Sequence, residues 1–345
     1  MSSTLLRAAS RLTTPFLPED YLTLVNPLWS TRELRGRIEA VVRETADAAT
    51  IVVRPARGWS GHRAGQYVRI ALEIDGVRHT RTYSLTSPAD RADGRFTITV
   101  KAIPDGVVST HLVHHAQPGD VLVLEPAQGE FVLPDPLPTK VLFLTGGSGI
   151  TPVMGMLRSH LLPDVVHIHG APTRDAVVFG AELRGLGSPG YRLTEFHDDD
   201  SGMFTFDRLD ALCPDWRERD VWVCGPGPLM DAAEVHWADA GLSERLRLER
   251  FRPRLLADAG DGGAVSFAKT GTVVDNDGTT PILDTGEAAG VLMPSGCRMG
   301  ICHGCVVPLL AGRVRDLRTG EVHGDEGDLV QTCISAPAGP VELDL

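Results

Sequence analysis

No apolar run in this 345-residue chain approaches the roughly 20 residues that a membrane-spanning helix needs. A secretory leader is not evident, so a soluble chain in a reducing cytoplasm is expected. An excess of positive charge is also missing. Lys and Arg total 33 against 45 Asp and Glu, a formal charge of −12 that disfavours nucleic acid as a partner. No internal repeat is visible, which argues against solenoid and propeller architectures. Cysteine is scarce, at six residues, and no disulfide is expected between Cys213 and Cys224. What is left is an ordinary globular composition, 42% apolar and 23% charged, long enough for two or three domains. The charge is unevenly spread. From Asp258 onward 13 Asp and Glu face 5 Lys and Arg, a net of −8. Two readings stand: plain solubility, or an acidic face that docks a basic electron acceptor.

The other four cysteines carry the strongest signal. Cys297, Cys302 and Cys305 read C-x4-C-x2-C, and Cys333 follows 27 intervening residues later. This is the spacing of a plant-type [2Fe–2S] ferredoxin, in which a compact loop brings three thiolates and a distant segment the fourth. Gly296, Gly300 and Gly304 among the ligands let the backbone turn its amides toward the sulfurs. Zinc would favour paired C-x2-C knuckles, and a disulfide framework does not suit an intracellular chain. A c-type haem does not fit, because Val306 and not His follows Cys305.

Pattern divides the rest. Residues 1–34 are a lead-in broken by Pro15, Pro18 and Pro27; its Leu5, Leu6, Leu12, Phe16 and Leu17 are read as packing on the next domain rather than as a membrane-surface helix. Residues 35–135 alternate apolar and polar side chains between Gly, Asp and Pro turns, as in an antiparallel β-barrel. After a linker at 134–138, residues 139–253 alternate short apolar strands with helices (Val153 to Leu162, Pro228 to Ala240), the rhythm of a parallel α/β sheet. Residues 258–345 form the cysteine module.

Arg81-Thr82-Tyr83-Ser84, followed by Ser87-Pro88, resembles the flavin signature of the ferredoxin–NADP reductase family. The resemblance implies FAD, with Arg81 on its pyrophosphate, Tyr83 against the isoalloxazine and Ser84 near the reactive nitrogen. Thr82 shares the strand, and Lys101 precedes a second flavin segment, Gly106-x-x-Ser109-Thr110, whose helix amides suit a pyrophosphate. That need favours FAD over FMN. Phe251, at the end of the α/β region, is the candidate shield of the flavin's open face. His111, His114 and His115 have metal-compatible spacing, but solvent-exposed or packed histidines are the commoner case.

Thr145-Gly146-Gly147-Ser148-Gly149-Ile150-Thr151-Pro152 follows a strand and opens a helix. It is neither G-x-G-x-x-G nor a P-loop, yet it is similar to the family's pyridine-nucleotide loop. Cys224-Gly225-Pro226 resembles the family's second nucleotide element, which puts the cysteine beside the nicotinamide. Arg174, after the strand ending His167-Ile168-His169, could clamp a 2′-phosphate, which leans the donor toward NADPH over NADH.

Together these segments imply an oxidoreductase that passes electrons from NAD(P)H to FAD, to [2Fe–2S], to a separate acceptor. Ser84 and Cys224 border the reacting nicotinamide; no nucleophile or acid–base pair is called for. The domain order is shared by oxygenase reductases and bacterial desaturase reductases; phthalate-type reductases share it with FMN. Asn26-Pro27-Leu28-Trp29-Ser30 and the 296–305 loop look most like actinobacterial acyl-CoA desaturase reductases. The expected acceptor is therefore a membrane-bound diiron fatty acyl-CoA desaturase, with the reductase peripheral at the inner membrane face through that partner. The alternatives are the hydroxylase systems (alkane monooxygenase, Rieske dioxygenase or cytochrome P450) and a non-catalytic redox carrier or sensor.

Overall fold

The computed structural model describes residues 18–104, 106–255 and 260–345, so the lead-in residues Leu5 to Leu17 lie outside the described residues. Helix α1 (Pro18–Val25) and a 3-10 turn (Pro27–Trp29) precede the first domain. Its strands are β1 (Leu34–Thr45), β2 (Ala48–Pro55), β3 (Tyr67–Ile74), β4 (Val77–Ser84), β5 (Phe96–Lys101) and, after α2 (Val107–His114), β6 (Val121–Leu124). They form one sheet in the order β4-β3-β6-β1-β2-β5, antiparallel from β3 through to β5. Alternation turns Ile38, Ile51, Val53, Val68, Ile70, Phe96 and Ile98 inward, where α2 adds Leu112. Each such side chain stabilises the fold by about 1.5–3 kcal/mol relative to exposure.

The second domain runs β7 (Val141–Gly146), α3 (Ile150–Ser159), β8 (Val165–Ala171), α4 (Gly180–Gly185), β9 (Tyr191–His197), α5 (Leu209–Leu212), β10 (Asp220–Cys224), α6 (Gly227–Asp239) and β11 (Leu246–Glu249). The parallel order is β11-β10-β7-β8-β9. Every residue of β7 is buried, as the continuous apolar run requires of a central parallel strand. Helix α3 starts three residues earlier than its apolar pattern suggests, because the 3-10 turn Gly147–Gly149 feeds straight into it. At the opposite end of the sheet the buried guanidinium of Arg219 binds Asp215 and Asp164 and donates to the Val141 carbonyl (3.2 Å), tying the starts of β7 and β8 to the turn before β10.

The third module contains β12 (Gly263–Phe267), β13 (Thr272–Asn276), α7 (Ile282–Ala288), β14 (Val306–Ala311), β15 (Val314–Asp316), β16 (Val322–His323), β17 (Leu329–Gln331), β18 (Ser335–Pro337) and β19 (Val341–Leu343). A mixed sheet, β13-β12-β19-β14-β17, shares a core with α7 through Phe267, Ile282, Leu283, Val307 and Leu343, the β-grasp arrangement expected of a ferredoxin.

By contacts the chain divides into two compact units, 1–78 with 82–249 and 79–81 with 250–345. Barrel and α/β sheet thus share one unit. Within it Arg158 Nη1 donates to the Thr86 carbonyl (2.7 Å), and Trp222 Nε1 to that of Val132 (3.3 Å). The described end of the lead-in is pinned, with Arg37 Nη2 donating to Asn26 Oδ1 (2.9 Å). Leu24 is 83% exposed and Val25 75%.

Candidate functional site

The nucleotide loop is built by close approach. Gly147 takes φ +53°, a left-handed turn that leads from β7 into α3. A Cβ on Gly149 would stand 2.1 Å from the Cys224 carbonyl oxygen, and one on Gly146 2.6 Å from Pro226 Cδ. Side chains there would prise the 145–152 loop away from Cys224-Gly225-Pro226. Thr151 Oγ1 donates to the Ser148 carbonyl (2.9 Å), and Pro152 is buried in the first turn of α3. Those two side chains brace the loop, and the Ile150 amide donates back to the Gly147 and Ser148 carbonyls.

Cys224 is fully buried at the C-terminal end of β10, the end at which open α/β sheets bind ligands. In register it sits between Thr145 on β7 and Glu249 on β11. Burial, reinforced by Glu249, drives the Cys224 thiol well above its ordinary range, so it stays protonated. Glu249, two residues before Phe251, is the polar group that this register brings to Cys224. It is only partly exposed, its Oε2 is buried without a hydrogen-bond partner, and burial pushes its carboxyl up to about 8. The legible signal was an acid closing a short apolar strand. Phe251 lies just beyond β11 and is 42% exposed.

His167 and His169, near the end of β8, join a buried hydrogen-bond chain. Tyr191 Oη bonds His167 Nδ1 (2.7 Å), His167 Nε2 bonds Thr145 Oγ1 (2.8 Å), and that oxygen bonds His169 Nδ1 (2.8 Å). Burial lowers both imidazoles, His169 to about 4, so the chain is neutral and fixes Thr145 at the head of the loop. Two histidines at i, i+2 in an apolar parallel strand were the clue.

Arg174 lies on a 3-10 turn capped by Thr173 Oγ1, which accepts from the Ala176 amide (3.2 Å). It lines a cavity of about 520 Å³ with Glu195, His197, Asp199, Asp200 and Ser201. Acidic groups, missing directly after β8, thus arrive from the end of β9; Glu195 is held by Arg184 through two bonds (2.7 and 2.9 Å). His197 Nε2 is buried and without a partner.

In the barrel, Thr82 Oγ1 and Ser84 Oγ are both buried and unpartnered. Leaving two such hydroxyls unsatisfied costs about 1–3 kcal/mol each, so β4 fits a strand that expects a polar ligand edge. Tyr83 packs half-buried against the barrel core, Arg81 Nη1 donates to the Thr80 carbonyl (2.8 Å), and Lys101 pairs with Asp47 (3.3 Å). In the second flavin segment the sequence pattern has Ser109 and Thr110 opening the helix, and the structure differs. The helix opens at Val107, not at Ser109, because Ser109 Oγ is turned inward. It donates to the Gly106 carbonyl (3.1 Å) and accepts from the Ile103 amide (3.3 Å). Thr110 and Gly106 line a cavity of about 710 Å³ at the start of α2, with Glu73, Asp75, His111 and His115. His114 turns instead toward Arg43 (3.5 Å). Among the described residues no three His, Cys, Asp or Glu side chains converge on a single-ion site.

A two-iron cluster asks for two thiolates at each iron rather than four at one point. Here backbone amides supply its environment. Those of Cys297 and Gly304 donate to Cys302 Sγ (3.1 and 3.3 Å), and that of Met299 to Cys297 Sγ (3.3 Å). A Cβ on Gly296 would lie 2.4 Å from Cys302 Sγ, so the loop closes only over glycine. Thr332 Oγ1 donates to the Cys305 carbonyl (2.9 Å), drawing the distant Cys333 segment in. Thiolates ringed by N–H donors suit an iron–sulfur cluster. Cys213 and Cys224 are free and buried in different core clusters.

A flavin-type barrel joined to a nucleotide-binding α/β sheet, in one chain with a four-cysteine β-grasp module, defines an electron-transfer flavoprotein with an iron–sulfur domain. Residues 44–133 match the oxidoreductase FAD-binding domain, and residues 267–338 the 2Fe-2S iron-sulfur cluster binding domain. The chain is 52% identical over 348 residues to an NADPH oxidoreductase of Mycobacterium tuberculosis, covering 98% of this chain and 91% of the relative. It is 32% identical over 332 residues to the ferredoxin reductase component of 3-ketosteroid-9-alpha-monooxygenase from Mycolicibacterium smegmatis, covering 86% and 90%. The structure of phthalate dioxygenase reductase shares its fold, with a TM-score of 0.64 at 23% identity over 91% of this chain and 98% of that one. The protein belongs to the family of ferredoxin reductases that join a FAD-binding oxidoreductase domain to a 2Fe–2S domain. It is an oxidoreductase whose cofactors are FAD and a [2Fe–2S] cluster, with a pyridine nucleotide as donor.

Proposed function

We propose that the protein takes electrons from NADPH and delivers them singly to a membrane-bound diiron fatty acyl-CoA desaturase. The observation that carries the donor half is the seam between Gly149 and Cys224, with Glu249 beside the cysteine in register. When bound, FAD and the cluster convert a two-electron input into one-electron outputs. Arg81, Thr82, Tyr83, Ser84 and Lys101 hold the flavin, and Gly106, Ser109 and Thr110 shape its pyrophosphate end. Ser109 does so through the loop it braces. Gly146, Gly147, Ser148, Gly149, Thr151 and Pro152 form the nucleotide cradle, closed by Cys224, Gly225 and Pro226. Ser84 Oγ offers its unsatisfied hydroxyl to the flavin edge. Cys224, neutral and buried, excludes water from the nicotinamide side, and Glu249 Oε2 keeps a proton there at neutral pH. Arg174 selects NADPH through its 2′-phosphate, a preference supported by the name of the 52% identical relative. Phe251 shields the flavin. Cys297, Cys302, Cys305 and Cys333 ligate the cluster.

The desaturase is favoured by the residue pattern of the lead-in and cysteine loop. A hydroxylase acceptor is the second reading, favoured by the monooxygenase reductase at 32% identity. An anaerobic absorbance titration of the holoprotein with NADPH, and in parallel with NADH, tests the relay. Bleaching of both flavin and iron–sulfur bands, with NADPH preferred, is expected. Bleaching of the flavin alone would refute the internal relay. Adding purified desaturase or hydroxylase to the NADPH-reduced protein then decides the acceptor by which one reoxidises it.

A further inference from the structure

Two histidines of α2 have no part in the electron path described so far. His114 turns toward Arg43, whereas His111 and His115 stand side by side, their ring centroids 6.0 Å apart. Both line the cavity of about 710 Å³ at the start of α2, a volume ordinary for a small-molecule site. The rest of its lining comes largely from the β3–β4 hairpin. Asp75 and Gly76 make the two-residue turn of that hairpin, both at positive φ (52° and 76°), and so pin its register. Glu73 and Asp75, two residues apart, therefore share one side of the hairpin, and both reach the cavity. Ile74 and Val107 add apolar surface. A single metal ion is a poor occupant, because among the described residues no three ligating side chains converge. A free phosphate is another, since two carboxylates repel it. Ring faces, apolar surface and carboxylate acceptors together suit a nucleoside. Its base stacks on imidazole, and its ribose hydroxyls donate to carboxylate.

We propose that this cavity holds the adenosine end of FAD, with His111 and His115 against the adenine and Glu73 and Asp75 on the ribose hydroxyls. Strand β4 joins the cavity to the flavin edge. Its eight residues run from beside the Asp75-Gly76 turn to Ser84, about 23 Å of extended chain. Near the far end Thr82 and Ser84 present their buried, unpartnered hydroxyls. A dinucleotide stretched along that strand reaches both ends, whereas a mononucleotide fills only one. Gly106 and Thr110, at the pyrophosphate end, lie on the same cavity. The four side chains thereby make FAD, and not FMN, the flavin that this barrel retains. The inference rests on FAD being the flavin and on neither the donor nor the acceptor proposed above.

Flavin exchange in the purified holoprotein tests it, with His111→Ala/His115→Ala and Glu73→Gln variants alongside. Each FAD-loaded protein is equilibrated with increasing FMN, and the flavin that stays bound is identified. Native protein should keep FAD against a large excess of FMN. The double variant should hold FAD roughly tenfold less tightly, the effect of losing one stacked base. Glu73→Gln should hold it several-fold less tightly. FMN affinity, measured on the exchanged proteins, should be the same in all three. Equal weakening of FAD and FMN would overturn the proposal, because it would mean that these side chains support the barrel as a whole. An unchanged FAD preference in both variants would overturn it too. Native protein that carries FMN would refute FAD as the flavin, whereas native protein that carries FAD with indifferent variants would refute the cavity alone. Equilibrium dialysis against AMP covers the remaining occupant. Binding of AMP to the native holoprotein with FAD in place, lost in the double variant, would show that the cavity takes a free nucleotide and would sink the proposal.

Discussion

Glu249 gives the sharpest test of the site. An unfolded glutamate titrates near 4.5, whereas burial holds this one to about 8 in the folded protein. Below pH 4.5 both states are protonated and the residue contributes no pH dependence. Between those values the folded state binds one more proton than the unfolded state, so raising the pH favours unfolding. Above pH 8 the penalty is complete and constant. A difference of 3.5 units corresponds to a ceiling of about 5 kcal/mol. Because Glu249 is partly reached by solvent, about 2–3 kcal/mol is the realistic figure. Glu249→Gln keeps the shape and removes the ionisation. All five tryptophans, Trp29, Trp59, Trp216, Trp222 and Trp237, belong to the unit containing 1–78 and 82–249, so their fluorescence in urea follows that unit alone. The variant should gain stability over the native protein from pH 5 to pH 8.5, and the gap should stop widening above pH 8. Parallel curves for the two proteins would refute the reasoning, since they would mean that Glu249 is solvated in the folded state.

Two further outcomes follow from the geometry. Cys333→Ser should abolish the iron–sulfur absorbance and lower NADPH-driven reduction of cytochrome c by an order of magnitude, while ferricyanide, which the flavin can serve alone, is still reduced. Loss of both activities together would show that Cys333 supports the whole fold rather than the cluster. Gly149→Ala drives a methyl into the Cys224 carbonyl and should cost about 1–3 kcal/mol. NADPH should then reduce the flavin poorly while dithionite still reduces it fully. Normal NADPH reduction would mean that the 145–152 loop and Cys224 need not touch.

Much of the architecture was readable beforehand because it rests on local, repeating constraints. Alternation in Phe96–Lys101 marks a barrel strand, the continuous run Val141–Gly146 a central parallel strand, and the C-x4-C-x2-C loop a ferredoxin module. Each pattern spans a few residues and needs no knowledge of distant ones. The Gly-rich loop was legible for the same reason. The properties that give the candidate site its chemistry were not local. Glu249 is separated from Cys224 by a whole helix, and only the parallel pairing of β10 with β11 brings them level and strips water from the carboxyl.

Ser109 illustrates the same limit, since nothing in its motif announces that its hydroxyl donates to the Gly106 carbonyl. His167 and His169 read as strand markers until Thr145 from the neighbouring strand completed their hydrogen bonds. Nor does a local pattern announce that Arg37 holds Asn26 while Leu24 and Val25 stay exposed. Sequence by itself determined the modules, their order and the residue types available for each cofactor, since these follow from periodicity and spacing. Tertiary structure alone decided which buried polar groups are satisfied by the protein and which await a ligand, because burial and hydrogen bonding depend on strands far apart in the chain.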